Sequence, residues 1–152
     1  MGNQRAWAMG LAGLLAASPA GAVDLLCPGS GATAAQDAAW VAIGSNAAHA
    51  KGDKIRPTGA PPPKAPASQV TILEGAPEEM GSLVPDNEGE PPKQGLYTLK
   101  WTLYPENKLP SWVVCEYEGQ APRWGQELPS GTKSCTVQWQ AKPPLVKPIH
   151  CE

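Results

Sequence analysis

Three segments in the second half of the chain alternate apolar and polar residues, and this alternation constrains the fold more than any other feature. They are Leu96–Tyr104, Trp112–Glu118 and Lys133–Gln140. A period of two residues, rich in aromatic and β-branched side chains, is typical of strands that are buried on one face. We therefore expect a mainly β fold, a small antiparallel sheet or sandwich that is stabilised by disulfides and carries a proline-rich loop.

The same alternation places two cysteines on apolar strand faces. Cys115 lies on such a face in the second segment and Cys135 in the third. A hairpin of these two strands would bury both sulfur atoms together, so we predict a Cys115–Cys135 disulfide. The remaining pair, Cys27 and Cys151, would then tie the two ends of the domain. Four cysteines allow three connectivities, and the other two pairings stay open.

The first 22 residues have the pattern of a secretory signal peptide. Arg5 is followed by the apolar run Ala6–Ala17 and by small residues ending at Ala22, and the run is shorter than the roughly 20 residues that span a bilayer. Cleavage there leaves residues 23–152 as a single small β domain. We expect this domain in the periplasm or secreted, where disulfides form. A minor alternative is a lipoprotein anchored at Cys27.

Residues 56–68 form a proline-rich segment with five prolines. This composition precludes a helix or a central strand, because proline lacks a backbone N–H and fixes φ. We expect a flexible, exposed insertion that samples polyproline II conformations. Short strands are predicted before it, at Trp40–Ile43, and after it, at Gln69–Leu73. The tail after Ala141 is also proline-rich and is expected to be extended.

Charge and cysteine spacing exclude several kinds of partner. The formal net charge is −2, and no basic cluster is present, which argues against nucleic acid and anionic membranes. No cysteine pair has the spacing of a zinc site. We therefore predict no cofactor, no metal and no membrane span in the mature chain. The expected partner is another exported or envelope protein.

Catalytic motifs are absent from the sequence. The two histidines, His49 and His150, lie in no recognisable motif. Glu116 and Glu118 share a strand face and allow an alternative interpretation, an envelope hydrolase using these carboxylates. Outward polar residues are, however, what any half-exposed strand shows, so we predict no catalytic residues. A structural envelope component is a further alternative.

The tryptophans provide candidate binding residues. Trp124 falls in the connection Gly119–Gly131, beside Arg123, and Trp112 shares a strand face with Glu116. Tryptophan and arginine dominate the energetics of protein interfaces. We therefore predict a non-catalytic binding module, inhibitor or immunity-like, with Arg123, Trp124 and Trp112 as partner contacts. Alternatively, Trp124 folds back to cover the sheet edge.

Two blocks of sequence resemble a known family. The residues that carry the resemblance are Val70–Glu79 and Ser82–Asp86, then Trp101, Trp112-x-x-Cys115-x-Tyr117 and Leu128-Pro129-x-Gly131-x-x-x-Cys135. They are similar to an uncharacterised family of small exported bacterial proteins that is known only by an enterobacterial locus tag. That family has no assigned activity, so the resemblance implies export and disulfides and assigns no site residues.

Overall fold

The computed structural model describes residues 21–43, 63–75 and 81–152, and within these ranges it is mainly β. Sheet A has four antiparallel strands, which in spatial order are β1 (Val23–Leu25), β9 (Pro144–Cys151), β8 (Ser134–Ala141) and β5 (Leu96–Thr102). Sheet B has five, in the order β2 (Val41–Ile43), β7 (Gln120–Glu127), β6 (Ser111–Tyr117), β3 (Gln69–Glu74) and β4 (Gly81–Leu83). The short helix α1 (Ala34–Asp37) lies between β1 and β2, and a 3₁₀ turn, Pro105–Asn107, follows β5.

The two sheets pack face to face around one hydrophobic core. Sheet A contributes Leu25, Trp101, Cys135, Val137, Val146, Ile149 and Cys151, and sheet B contributes Ala42, Val70, Ile72, Val113, Cys115, Tyr117 and Trp124. These side chains alternate along their strands with outward-facing residues, as expected of a sandwich. The predicted fold class, a small antiparallel β domain with disulfides, is confirmed.

The three alternating segments are strands β5, β6 and β8, as predicted, whereas β7 and β9 were not predicted. Strand β7 occupies most of the segment that we expected to be a connection, and β9 occupies the proline-rich tail. Prolines fit in β9 because Pro144 is its first residue and Pro148 lies at a bulge, where two residues oppose Gln138. Strand starts and bulges are where a missing N–H is tolerated.

The predicted disulfide pairing was wrong. Cys27 is bonded to Cys115, and Cys135 is bonded to Cys151. Strands β6 and β8 belong to different sheets and form no hairpin, so their cysteines do not meet. Instead, Cys135 lies directly opposite Cys151 in the β8–β9 ladder, with 4.1 Å between the Cα atoms.

The Cys27–Cys115 bridge joins the chain just after β1, in sheet A, to β6 of sheet B. The Cys27 sulfur is occupied by this bond, so it cannot also carry the thioether of a lipid anchor. The minor alternative of a lipoprotein anchored at Cys27 is therefore wrong.

The end of the proline-rich segment, residues 63–68, is attached to the sandwich. Ala67 is fully buried, and its carbonyl oxygen accepts a hydrogen bond from the Val146 N–H at 3.2 Å. The Ser68 N–H donates to the Glu116 carbonyl oxygen at 2.9 Å. Residues 56–62, where we predicted a flexible insertion, lie outside the described ranges.

Candidate functional site

The outward face of sheet B carries a second hydrophobic cluster, which we call the outer cluster. Its members are Ile43, Leu73 and Val114, which are buried, and Val41 and Trp112, which are partly buried. In β6 the outer residues Trp112 and Val114 flank Val113, which points into the main core. Sheet B is therefore apolar on both faces, and a central strand with this pattern is uncommon at a fully solvated surface.

A glycine in β7 shapes the outer cluster. A Cβ atom at Gly125 would collide with the Ile43 side chain and would lie 3.6 Å from Cε3 of Trp112. Glycine within a strand often marks the close approach of another group. Because Gly125 has no side chain, the Ile43 side chain of edge strand β2 can lie over the β7 backbone, close to the Trp112 ring.

An ion pair borders the outer cluster. Arg123 Nη1 lies 3.6 Å from Glu116 Oε1, and the two side chains are 11% and 31% exposed. Arg123 lies opposite Ile43 in the β2–β7 register, and the β6–β7 register shifts between Cys115 and Tyr117. Such irregularities re-aim side chains, and here one brings a partly exposed charge pair beside apolar surface.

The structure brings two of the three predicted contact residues together. Trp112 and Arg123 lie on the outward face of sheet B. Trp124 lies on the inward face, because consecutive residues of a strand point to opposite sides. Its ring is only 5% exposed and sits in the core, opposite Cys115 and Ala42 in the two neighbouring strands. In this position Trp124 is a packing residue within a central strand, and it covers no sheet edge.

The proposed carboxylate pair does not form a shared strand face. Strand β6 ends at Tyr117, so Glu118 lies in the exposed turn that follows, while Glu116 is engaged by Arg123. Among the described residues, no group of three His, Cys, Asp or Glu side chains is placed to hold a metal ion.

Within the described ranges, no helix has the length and apolarity needed to cross a bilayer.

The outward face of sheet A is polar. Asp24, His150, Thr136 and Lys100 form a row across the sheet in register. His150 Nδ1 lies 2.8 Å from Asp24 Oδ1, and these two side chains are 52% and 74% exposed. Such a solvated row carries little interaction energy, which leaves sheet A as the scaffold opposite the outer cluster.

A cleft lies at one end of the sandwich, and sequence analysis did not single it out. It encloses about 480 Å³ between the loop that follows the 3₁₀ turn and the β7–β8 loop. Leu109 lines this cleft and is 50% exposed, and Tyr104 in the same β5–β6 connection is 49% exposed. These residues flank a turn with no alternation, so only their exposure in the fold identifies them.

Together, the fold and the outer cluster define a class: small disulfide-linked β-sandwiches in which one sheet carries a second apolar cluster on its outward face. A family model described as "Type VI secretion system Tli immunity protein" matches residues 62–152. This match covers more than half of the chain, and the protein belongs to this family. Neither the curated proteins nor the solved structures gave a match.

Family membership confirms the prediction of an inhibitor or immunity-like binding module. The range Val70–Cys135, over which the sequence resembles a family of small exported proteins, lies within the matched residues. The match also spans strands β3 to β9, which make up most of both sheets.

Proposed function

We propose that this protein is exported to the periplasm, where it binds and neutralises a toxic protein effector of type VI secretion. The observation that carries the proposal is the family match over the whole of β3 to β9. Two further features support it: the sequence begins with a signal-peptide pattern, and all four cysteines are paired. Structural disulfides form and persist in an oxidising compartment.

The proposed contact surface is the partly exposed part of the outward face of sheet B, since Ile43, Leu73 and Val114 are themselves buried. The Trp112 ring supplies a partly exposed aromatic anchor over the outer cluster, and the Arg123–Glu116 pair supplies a polar border at 3.6 Å separation. An apolar centre with a polar rim, and tryptophan and arginine as the dominant residues, is the usual composition of a binding hot spot. The polar outward face of sheet A lacks these features.

The proposed mode of inhibition is occlusion. The effector's working surface is covered by a preformed sheet, and no bond is made or broken by the immunity protein. A sandwich closed by two disulfides loses little conformational freedom on binding, so more of the contact energy contributes to affinity.

The test has two stages. The oxidised protein is used to capture proteins from envelope and secreted fractions, and each captured candidate is then exported to the periplasm of a test strain. Growth is measured with and without co-production of the immunity protein. We expect one candidate to be toxic alone and harmless when the immunity protein is present.

Three variants locate the surface. Trp112→Ala and Arg123→Glu should weaken effector binding by about tenfold or more, as expected for hot-spot residues, while circular dichroism stays unchanged. Lys100→Glu is the matched control, since it reverses a charge on the outward face of sheet A. If all three variants protect equally, the outer face of sheet B is not the contact surface. If no candidate is toxic and neutralised, the proposed function itself fails.

A further inference from the structure

Residues 21–43 cross from one sheet to the other, and we call this segment the strap. At its start, β1 pairs with β9 at the edge of sheet A through Val23, Asp24 and Leu25. At its end, β2 pairs with β7 at the edge of sheet B. The strap therefore adds one edge strand to each sheet, and it lies outside the matched residues 62–152.

The middle of the strap is fastened to β6. Cys27 is 2% exposed and is bonded to Cys115. Next to it, the Pro28 carbonyl oxygen accepts a hydrogen bond of 2.6 Å from the Tyr117 hydroxyl. Gly29 has a φ of +75°, and a Cβ atom there would lie 2.7 Å from the Ala65 carbonyl oxygen. The close fit and the covalent bond are concentrated in these three consecutive residues of the strap.

The rest of the strap is held without covalent bonds, by two short strand pairings and by the buried side chains of Leu25, Trp40, Ala42 and Ile43. Strands β1 and β2 have three residues each, and α1 is a single turn with no buried residue. Strands this short contribute little independent stability. Trp40, at 5% exposure, is the large core side chain between the fastening point and β2. The disulfide is the covalent constraint on the strap, and it limits how far β2 can move from β7.

Strand β2 supplies two members of the outer cluster. Ile43 lies over Gly125 and beside Trp112, and Val41 packs on the same cluster. Without β2, Gly125 would leave the backbone of β7 uncovered and Trp112 would lose a packing neighbour. The geometry of the proposed contact surface thus depends on a strand that belongs to the strap.

We infer that the Cys27–Cys115 disulfide is a lock that holds the strap in place and, through β2, assembles the outward face of sheet B on which the effector is proposed to bind. The importance of this lock for immunity rests on the proposed function. The lock acts at a distance, since both sulfur atoms lie in the main core and neither lies on the outward face.

Hydrogen exchange read by mass spectrometry on the oxidised protein tests the lock without a partner. The variant Cys27→Ala/Cys115→Ala should speed amide exchange by about tenfold or more in both β1 and β2. Exchange in β5 and in the central part of β8 should stay as in the wild type. The matched control, Cys135→Ala/Cys151→Ala, removes the other disulfide and should leave β2 protected.

A second variant perturbs the outer cluster while the Cys27–Cys115 disulfide stays intact. Gly125→Ala places a methyl group where the Ile43 side chain lies, so it should speed exchange in β2 and leave β1 protected. Unchanged exchange of β2 in Cys27→Ala/Cys115→Ala would overturn the inference. Loss of the whole fold in that variant would also overturn it, because the strap would then be no separable element.

The two proposals fail differently. The lock is measured by exchange in the free protein, whereas the proposed function is measured by growth protection. If exchange shows that the disulfide holds the strap but no toxic effector is neutralised in the growth assay, only the proposed function is contradicted. Protection that survives in Cys27→Ala/Cys115→Ala, with β2 released, would show that the lock does not serve the binding face.

Discussion

Sheets A and B share one core but present different outward faces. Sheet A shows a polar row that runs from Asp24 to Lys100, whereas sheet B shows the outer cluster, with Ile43, Leu73 and Val114 all at 0–1% exposure. Packing of a two-layer sandwich requires only one apolar face per sheet. The outer cluster of sheet B is thus a second packed layer, and only its partly buried members, Val41 and Trp112, reach the surface of this face.

Trp124 and Trp112 lie on opposite faces of sheet B, so their substitution compares the contributions of the two faces to stability. We expect Trp124→Ala to lower the free energy of unfolding by about 3–5 kcal/mol, because it removes a large ring from the main core. Trp112→Ala should cost clearly less, since this ring is only partly buried. Urea denaturation of the two variants measures both values. Equal losses would mean that the outer cluster contributes as much to folding as the main core.

Substitution of Val114 tests whether water is excluded from the outer cluster. Val114→Asp introduces a carboxylate where the side chain is fully buried, and we expect a loss on the order of 3 kcal/mol. Its urea midpoint is compared with that of Val114→Ala, which removes volume without adding charge. A carboxylate that costs no more than alanine would show that water reaches this face freely.

Tyr117 joins the strap to β6, and its ionisation gives the structure a pH dependence. Burial raises the pKa of Tyr117 above its ordinary value of 10.0, and the nearby Asp37 carboxylate raises it further. The folded state thus favours the protonated phenol. This contribution is fully present below pH 10.0 and is lost as the pH rises from there toward the folded-state pKa.

Tyr117→Phe should therefore remove part of the alkaline destabilisation. At neutral pH it should cost about 1–2 kcal/mol, since the buried Pro28 carbonyl oxygen loses its donor. Urea denaturation at pH about 8 and about 11 measures both effects. An identical pH dependence in the variant and the wild type would assign the alkaline loss to other groups.

Thr136 on sheet A gives the smallest expected effect. Thr136→Asp adds a carboxylate to the polar row between His150 and Lys100, and we expect the stability to change by less than about 0.5 kcal/mol. The same assay as for Val114→Asp applies. A loss as large as that of Val114→Asp would remove the contrast between the two outward faces.

Local alternation predicted strands β5, β6 and β8 and their inward faces because each pattern is contained in one segment. It missed β7 and β9, whose Gly125 and Pro148 are tolerated only because of a neighbouring side chain and a bulge. The disulfide pairing failed for a related reason. It depended on which strands pair, and sequence alternation carries no information about that.

The role of the predicted contact residues stays a prediction, and the structure shows only where they lie. Trp112 and Arg123 share the outward face of sheet B, whereas Trp124 points inward; Arg123 and Trp124 both lie in strand β7, where the sequence predicts a connection. The outer cluster could not be predicted, because Ile43 joins it only after β2 pairs with β7. A three-residue strand at a sheet edge carries too little pattern to reveal its partner.

The most direct test of the central claim compares hydrogen exchange of the oxidised protein alone and in complex with its effector. We predict slower exchange on binding in β2, β6 and the Arg123–Glu127 part of β7, with β8 and β9 unchanged. Protection confined to sheet A, or to the Leu109 cleft at the end of the sandwich, would contradict the assignment of the effector surface to the outward face of sheet B.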